Sequence, residues 1–223
     1  MMKKKQLNIL FIKPWSGSSF IINDELILKR HFQVRCINKK VEKYFILKVL
    51  KCFLKKEVDL VYIWFANSYF APIILFCKLF RIKSIVIIGG YDVADEPDII
   101  YGQFSLGGFT RLKAKFVLKN ADILLPVSNY TKKLTLKKIK SNKLEVVYNG
   151  LDTKKFKPKG DKKNMILTIG RVTKQGIKLK GLDTFAKASS IGTEQCPYLI
   201  IPFLPPRALS RPSPRHIAIS STV

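Results

Sequence analysis

The chain has 223 residues, room for one large domain or two small ones, and at 47% hydrophobic it has ample material for a core. Its formal charge of +26, from 41 Lys and Arg against 15 Asp and Glu, favours an anionic partner: a phosphorylated ligand, an acidic membrane or nucleic acid. The blander reading is a lysine-rich composition on solvated faces. The lysines are spread along the chain rather than gathered into an arm, which argues against dedicated nucleic-acid binding. The cysteines Cys36, Cys52, Cys77 and Cys196 are far apart in sequence, so no metal-ligand spacing exists and no metal is expected. They fit a reducing, cytoplasmic setting. The apolar run Ile9 to Ile12 is too short for a signal peptide, and Tyr69 to Phe80 is too short to span a bilayer, so no transmembrane helix is predicted.

In chain order, Leu7 to Ile12 reads as a first buried strand, followed by a loop through Trp15, Ser16, Gly17 and Ser19. Phe20 to His31 reads as a helix and Gln33 to Asn38 as a second strand. Val41 to Lys56 has helical spacing, with Tyr44, Leu47, Leu50 and Leu54 on one face and lysines largely opposite. The expectation is a surface helix packed on a sheet by that apolar stripe, with a membrane-surface helix as the alternative. Asp59 to Phe65 is a third strand. Tyr69 to Phe80 is a buried helix with Pro72 in its first turn. Ser84 to Ile88 is a fourth strand, ending in Gly89-Gly90-Tyr91-Asp92. After an irregular segment come a helix over Phe109 to Asn120, a fifth strand over Ile123 to Val127, a helix capped by Ser128 and running to about Ile139, and a sixth strand over Leu144 to Tyr148.

Continuous apolar strands alternating with helices predict a parallel sheet with helices on both faces, the Rossmann-like doubly wound α/β architecture. Ligands in such sheets bind at the carboxyl ends of the strands. The candidate cleft residues therefore include Gly17, Asn67, Gly90, Asp92, Ser128, Asn129, Asn149 and Gly150. This first domain is assigned to residues 1–152. The lysine-rich stretch 153–164 reads as a linker. At 165–189 a strand, a loop with Gly170 and Arg171, and a helix beginning beside Lys180-Gly181 start a second α/β domain. From about Ser190 the composition changes. No lysine lies beyond Lys187, and six of the 11 prolines fall in residues 190–223. Those prolines argue against regular structure there. Either a shifted reading frame has joined a foreign sequence and cut the second domain short, or the tail is a natural Pro-rich segment.

A strand that feeds a glycine-containing loop and then a helix is a common way to hold a phosphate. Backbone N–H groups face the anion and basic side chains neutralise it. Gly170-Arg171 and Lys180-Gly181 are the candidates, Arg as a bidentate grip and Lys as a point charge. No GxGxxG, P-loop, catalytic triad or Cys–His nucleophile pair is present. The run Ala121-Asp122-Ile123-Leu124-Leu125-Pro126-Val127-Ser128, the turn Asn149-Gly150-Leu151-Asp152, and Gly170-Arg171 with Lys180-Gly181 together resemble the retaining glycosyltransferases of family 4, over about residues 7 to 189. That resemblance implies a GT-B fold of two facing Rossmann-like domains, the acceptor-side domain first. It implies that Gly170, Arg171 and Lys180 hold the diphosphate of a nucleotide-sugar donor, with the Asn149–Asp152 turn at the domain junction. The nucleotide sugar is a substrate, and no cofactor is expected. A glycan or lipid-linked acceptor and peripheral contact with the cytoplasmic face of an anionic membrane are the further expectations, with no nucleic acid.

The chain departs from that family in three places. Gly89 stands where the family has a His facing the donor sugar, which leaves Gly90 and Asp92 as the aligned positions. Gln175-Gly176-Ile177-Lys178 looks like an insertion lengthening the loop between Arg171 and Lys180. The family's Glu-x7-Glu pair is absent, since Glu194 is the one acid after Ser190. Weak or no transferase activity is therefore expected of this chain. The competing reading is a non-catalytic basic α/β module that binds nucleic acid or an anionic membrane.

Overall fold

A computed structural model describes residues 6–15, 18–157, 160, 166–170, 173–191 and 198–202. The chain divides into two compact units, residues 1–151 and 152–223. The first holds a five-stranded, fully parallel sheet in the order β2-β1-β3-β4-β5. The strands are β1 (Asn8–Lys13), β2 (Gln33–Asn38), β3 (Leu60–Trp64), β4 (Lys83–Ile88) and β5 (Ile123–Pro126). Between them run α1 (Ser19–His31), α2 (Phe45–Leu54), α3 (Ala71–Leu79) and α4 (Gly108–Asn120), and α5 (Asn129–Lys138) follows β5. This is the Rossmann-like α/β domain expected from the alternation of elements.

The central strands β1, β3 and β4 are largely apolar because both faces of the sheet are covered there, whereas the edge strand β2 exposes Gln33 and Arg35. Leu10 and Ile12 of β1 join Ile63, Val86, Ile88 and Leu124 in one core, packed under Val49 and Phe53 of α2, Ile73 and Cys77 of α3, and Ala114 and Val117 of α4. Phe11, between Leu10 and Ile12, points the other way and joins Trp64 and Ile87 beneath Ile21 of α1. Burying Phe11 and Trp64 completely stabilises the fold by about 1.5–3 kcal/mol each. On the α1 side, Tyr62 Oη and Trp64 Nε1 both donate to one carboxylate oxygen of Asp24, at 2.9 and 3.0 Å, and this fixes the roll of α1 on the sheet.

Most predicted elements appear within a residue or two of their expected ends. Ser128 caps α5 as predicted, its Oγ accepting from the Thr131 N–H at 3.1 Å. Pro72 sits in the first turn of α3, where its missing N–H has no intrahelical partner to lose. A 3-10 turn over Ser68–Phe70 precedes that helix.

Three expectations are corrected. The residues after Lys143 form no continuous sixth strand. They run beside β5 through N–H bonds from Glu145 to the Leu124 carbonyl and from Val147 to the Pro126 carbonyl, with a single bridge at Leu144. Helix α2 is shorter than predicted and rolled differently. Phe45, Val49, Cys52 and Phe53 are buried, while Tyr44, Leu47 and Leu54, taken from the sequence as the inward stripe, are exposed beside the lysines. The sequence offers two apolar stripes here, and the more aromatic one won the core. The third correction lies in the tail. Tyr198–Pro202 forms a strand, β7, paired in parallel with β6 (Ile166–Gly170). Its proline stands at the last position, where a ladder N–H is least needed. The rest of the tail lies outside the described residues.

Between β6 and β7 the second unit carries α6 (Lys174–Lys180) and α7 (Leu182–Ile191). It forms a β-α-α-β segment with parallel strands. Among the described residues no helix is long and apolar enough to cross a membrane.

Candidate functional site

The chain leaves β1 in one direction to make β2, then returns across it to make β3. The carboxyl ends of β1 and β3 therefore flank the point where the strand order reverses, which is where open α/β sheets place their crevice. Two aromatic side chains meet there. Trp15, just past β1, stacks on Phe65, the first residue after β3, with ring centroids 5.0 Å apart and planes 19° from parallel. The Trp15 Nε1–H donates to Ser18 Oγ at 2.9 Å, which holds the indole in place. Phe20 packs edge-on to Phe65 at 6.2 Å and Trp64 tilts against it at 5.4 Å. Phe65 is buried, whereas Trp15 keeps part of its ring in solvent.

Beside this stack lies the turn after β4. Its Gly90 has φ +117°, a conformation open to glycine and strained for any other residue. Asp92 is fully buried and organises the turn. Its Oδ1 accepts from the Gly90 N–H at 2.8 Å, and its Oδ2 accepts from the Ala66 N–H at 2.9 Å, on the loop after β3. The amides of Gly89 and of Asp92 itself also face the carboxylate. Burial pushes this carboxyl up to about 6, and the ring of backbone donors pulls the other way. Asp92 thus ties the β3 and β4 loops together from beneath, its carboxylate turned inward. On the far side of the turn, Gln103 donates its backbone N–H to the Tyr91 carbonyl and accepts from the Ser68 N–H through Oε1 at 3.2 Å.

At Gly89 the structure accounts for the absence of a side chain. A Cβ there would lie 2.1 Å from Cε1 and 2.8 Å from Cδ1 of Phe65. The volume that a His at this position would enter is filled by the Phe65 ring. Sequence reading missed Phe65, Trp15 and Gln103, because none sits in a recognisable motif. The available signal was a glycine in place of a larger residue, within reach of an aromatic pair ending β3.

The remaining predicted positions separate into groups. Gly17 and Arg171 lie outside the described residues. Asn67 is buried, its Nδ2 donating to Tyr69 Oη at 2.7 Å. Asn129 donates to Tyr148 Oη at 3.1 Å, and Asn149 and Gly150 are exposed in an irregular stretch. In the second unit, Gly170 closes β6 and Thr173 caps α6, its Oγ1 accepting from the Gly176 N–H at 3.0 Å. The expected loop insertion Gln175–Lys178 is therefore helix. Lys180 is exposed in the last turn of α6, and Gly181 separates it from α7, whose Phe185 N–H bonds the Gly181 carbonyl at 2.8 Å. A helix does begin beside Lys180-Gly181, as expected.

Asp122, within the most specific run of the sequence, stands at the opposite end of the sheet. Its Oδ2 accepts from the Ser84 N–H at 3.0 Å and from Ser84 Oγ at 2.9 Å, and its Oδ1 accepts from Lys78 Nζ at 3.0 Å. It clamps the entry of β5 to that of β4. Burial raises this carboxyl, but hydrogen bonds from Lys78 and Ser84 outweigh that and hold it below the usual carboxylate range. Among the described residues, no group of three or more His, Cys, Asp or Glu is placed to hold a metal ion.

The family model of Glycosyltransferase Family 4 matches residues 22–155, more than half of the chain. The chain belongs to glycosyltransferase family 4. The matched residues take in the loops after β3 and β4, the Asp122 clamp and the Asn149–Asp152 stretch. No curated protein matches the chain in sequence. Among solved structures, a UDP-N-acetylglucosamine 2-epimerase superposes with a TM-score of 0.51 at 12% identity, covering 87% of this chain and 63% of that one. A UDP-N-acetylglucosamine 2-epimerase from Rickettsia bellii gives a TM-score of 0.49 at 12% identity, covering 92% of this chain and 63% of its own. The family 4 chain thus spans less than two thirds of the length of either. The first of these likenesses shows a shared fold.

Proposed function

We propose that this chain acts in nucleotide-sugar-dependent glycosyl transfer, moving a sugar from a nucleoside-diphosphate donor to a glycan or lipid-linked acceptor with retention of configuration. The observation that carries the reading is the family 4 match over residues 22–155, laid on a sheet whose carboxyl-end loops are tied together by Asp92. In this reading the loops after β1, β3 and β4 form the acceptor side. Gly170, Arg171 and Lys180 form the donor side, where the two cations neutralise the charge that builds on the departing nucleoside diphosphate. Preorganised charge at a leaving group is electrostatic catalysis and needs neither metal nor cofactor. Asp92 takes no direct part in the chemistry. It positions the loops, and Gly89 leaves the donor sugar without the His that the family places there.

Calorimetric titration of the full chain with uridine and guanosine diphosphates tests the proposal. Saturable binding is expected, weakened about tenfold or more by Arg171→Ala and by Lys180→Ala, because each removes a charge-assisted hydrogen bond to phosphate. Binding indifferent to both substitutions overturns it. Absence of nucleotide binding, with salt-sensitive adsorption to RNA instead, favours a basic non-catalytic module.

A further inference from the structure

Trp15 and Tyr91 each stay 37% exposed. They follow β1 and β4, the strands on either side of β3, so their loops flank the Phe65 ring at the end of β3. Stacking on Phe65 covers one face of the Trp15 indole, and Ser18 Oγ takes its N–H at 2.9 Å. The ring is fixed on one face and at its polar edge, yet more than a third of it stays wet. Tyr91 is also held, its ring edge-on to Tyr101 at 5.2 Å and its carbonyl bonded by the Gln103 N–H. Fixed, half-open aromatics at the mouth of a crevice mark a ligand surface. The charged groups next to them in sequence are already engaged. Lys13 pairs with Glu25, and both carboxylate oxygens of Asp92 accept from backbone amides. A ligand suited to this place is therefore uncharged where it meets the rings, apolar on one face and polar around its rim.

We infer that the Trp15 indole is a platform on which a neutral pyranose ring of the acceptor stacks, which makes Trp15 a specificity-determining residue for glycan acceptors. The C–H bonds on one face of a pyranose carry partial positive charge and settle on the negative face of an indole. The sugar's hydroxyls project sideways, where the Ser18 hydroxyl, an acceptor towards Trp15, still has a proton to donate. A nucleobase also stacks on an indole, but it is recognised by several in-plane hydrogen bonds along its edge, and Ser18 Oγ is the one side-chain partner bonded at the edge of Trp15 among the described residues. The role given to the sugar, as acceptor, rests on the transferase reading; its binding to Trp15 does not.

Saturation-transfer NMR of the full chain with neutral methyl pyranosides of glucose, galactose, mannose and N-acetylglucosamine tests the platform. At least one of them is expected to bind with a dissociation constant in about the millimolar range, with saturation concentrated on the ring protons of one face. Trp64 is 1% exposed, so acrylamide quenching of the two tryptophans reads Trp15, and the bound pyranoside should shield it. Trp15→Phe keeps a ring and should retain most of the affinity. Trp15→Ala should lose about threefold to tenfold, the worth of one aromatic contact. Trp15→Leu, which still covers Phe65 but has no π face, should lose as much and serves in its place should the alanine variant unfold. The inference is overturned if no pyranoside of the four binds, if binding is unchanged in Trp15→Leu, or if uridine shields Trp15 better than any pyranoside. Nucleoside-diphosphate titration of the same protein separates the two readings. Nucleotide binding without pyranoside binding sinks the platform alone, and pyranoside binding without nucleotide binding sinks the transferase reading alone.

Discussion

The ring of Phe65 occupies the space into which a side chain on Gly89 would project, with 2.1 Å between a Cβ at that position and Phe65 Cε1. Gly89→His is therefore expected to destabilise the fold by about 1–3 kcal/mol, the usual cost of overpacking a filled site. Phe65 cannot easily retreat, because Trp15, Phe20 and Trp64 surround it. Removing the ring makes room, so Gly89→His combined with Phe65→Ala should cost less than the two single changes added together. Urea denaturation of the three variants measures that coupling, and strict additivity would show that the two residues do not compete for space.

Asp92 makes stability depend on pH in the mildly acidic range. Its carboxyl titrates at about 6 in the fold, against an ordinary 3.8. Between those values the folded chain holds a proton that the unfolded chain has released. Stability from this group is therefore greatest below about pH 4, falls as pH rises to 6 and is flat above. The fall is on the order of 3 kcal/mol at most, for about two pH units. Asp92→Asn should abolish this slope, and denaturant midpoints from pH 4 to 7 compare the two proteins. Parallel curves would mean that Asp92 ionises as freely in the fold as outside it.

Glu25 acts in the opposite sense and in a lower window. Burial pushes its carboxyl up, but hydrogen bonds from Lys13 at 2.5 Å and Lys29 at 2.7 Å outweigh that and hold it at about 2, below its ordinary 4.5. Its contribution is complete above about pH 4.5 and disappears as pH falls towards 2. Allowing for solvent around Lys29, we expect about 1–2 kcal/mol. Glu25→Gln should make the acid limb of the stability curve shallower, while leaving the Asp92 slope between pH 4.5 and 6 intact.

The clamp at Asp122 predicts a separation of stability from ligand binding. Asp122→Ala leaves the Ser84 N–H and Oγ without their acceptor and should cost about 2–3 kcal/mol. Because this residue lies at the amino ends of β4 and β5, nucleoside-diphosphate affinity should stay within about twofold of wild type, in contrast to Lys180→Ala. A large loss of nucleotide affinity in a folded Asp122→Ala protein would contradict this division.

Much of the fold is decided by local pattern. Short continuous apolar runs such as Ile9–Ile12 and Ile85–Ile88 can be satisfied only by burial on both faces, and the helices between them leave a parallel sheet as the consistent solution. The Ser128 cap, Pro72 in a first turn and the helix start at Lys180-Gly181 are legible for the same reason, because each is settled within one turn of chain. What the sequence could not decide depends on partners distant along the chain. Helix α2 has two apolar stripes, and only the position of the sheet selected Phe45, Val49 and Phe53 for the core, leaving Leu47 and Leu54 outside. Tyr198–Pro202 became a strand because β6 offered it a ladder. The sequence by itself determined the alternating α/β architecture and its family, through periodicity and short-range caps. Tertiary structure alone decided that Asp92 turns inward and that Phe65 fills the space over Gly89, because those outcomes depend on van der Waals contact and hydrogen bonding between loops more than twenty residues apart.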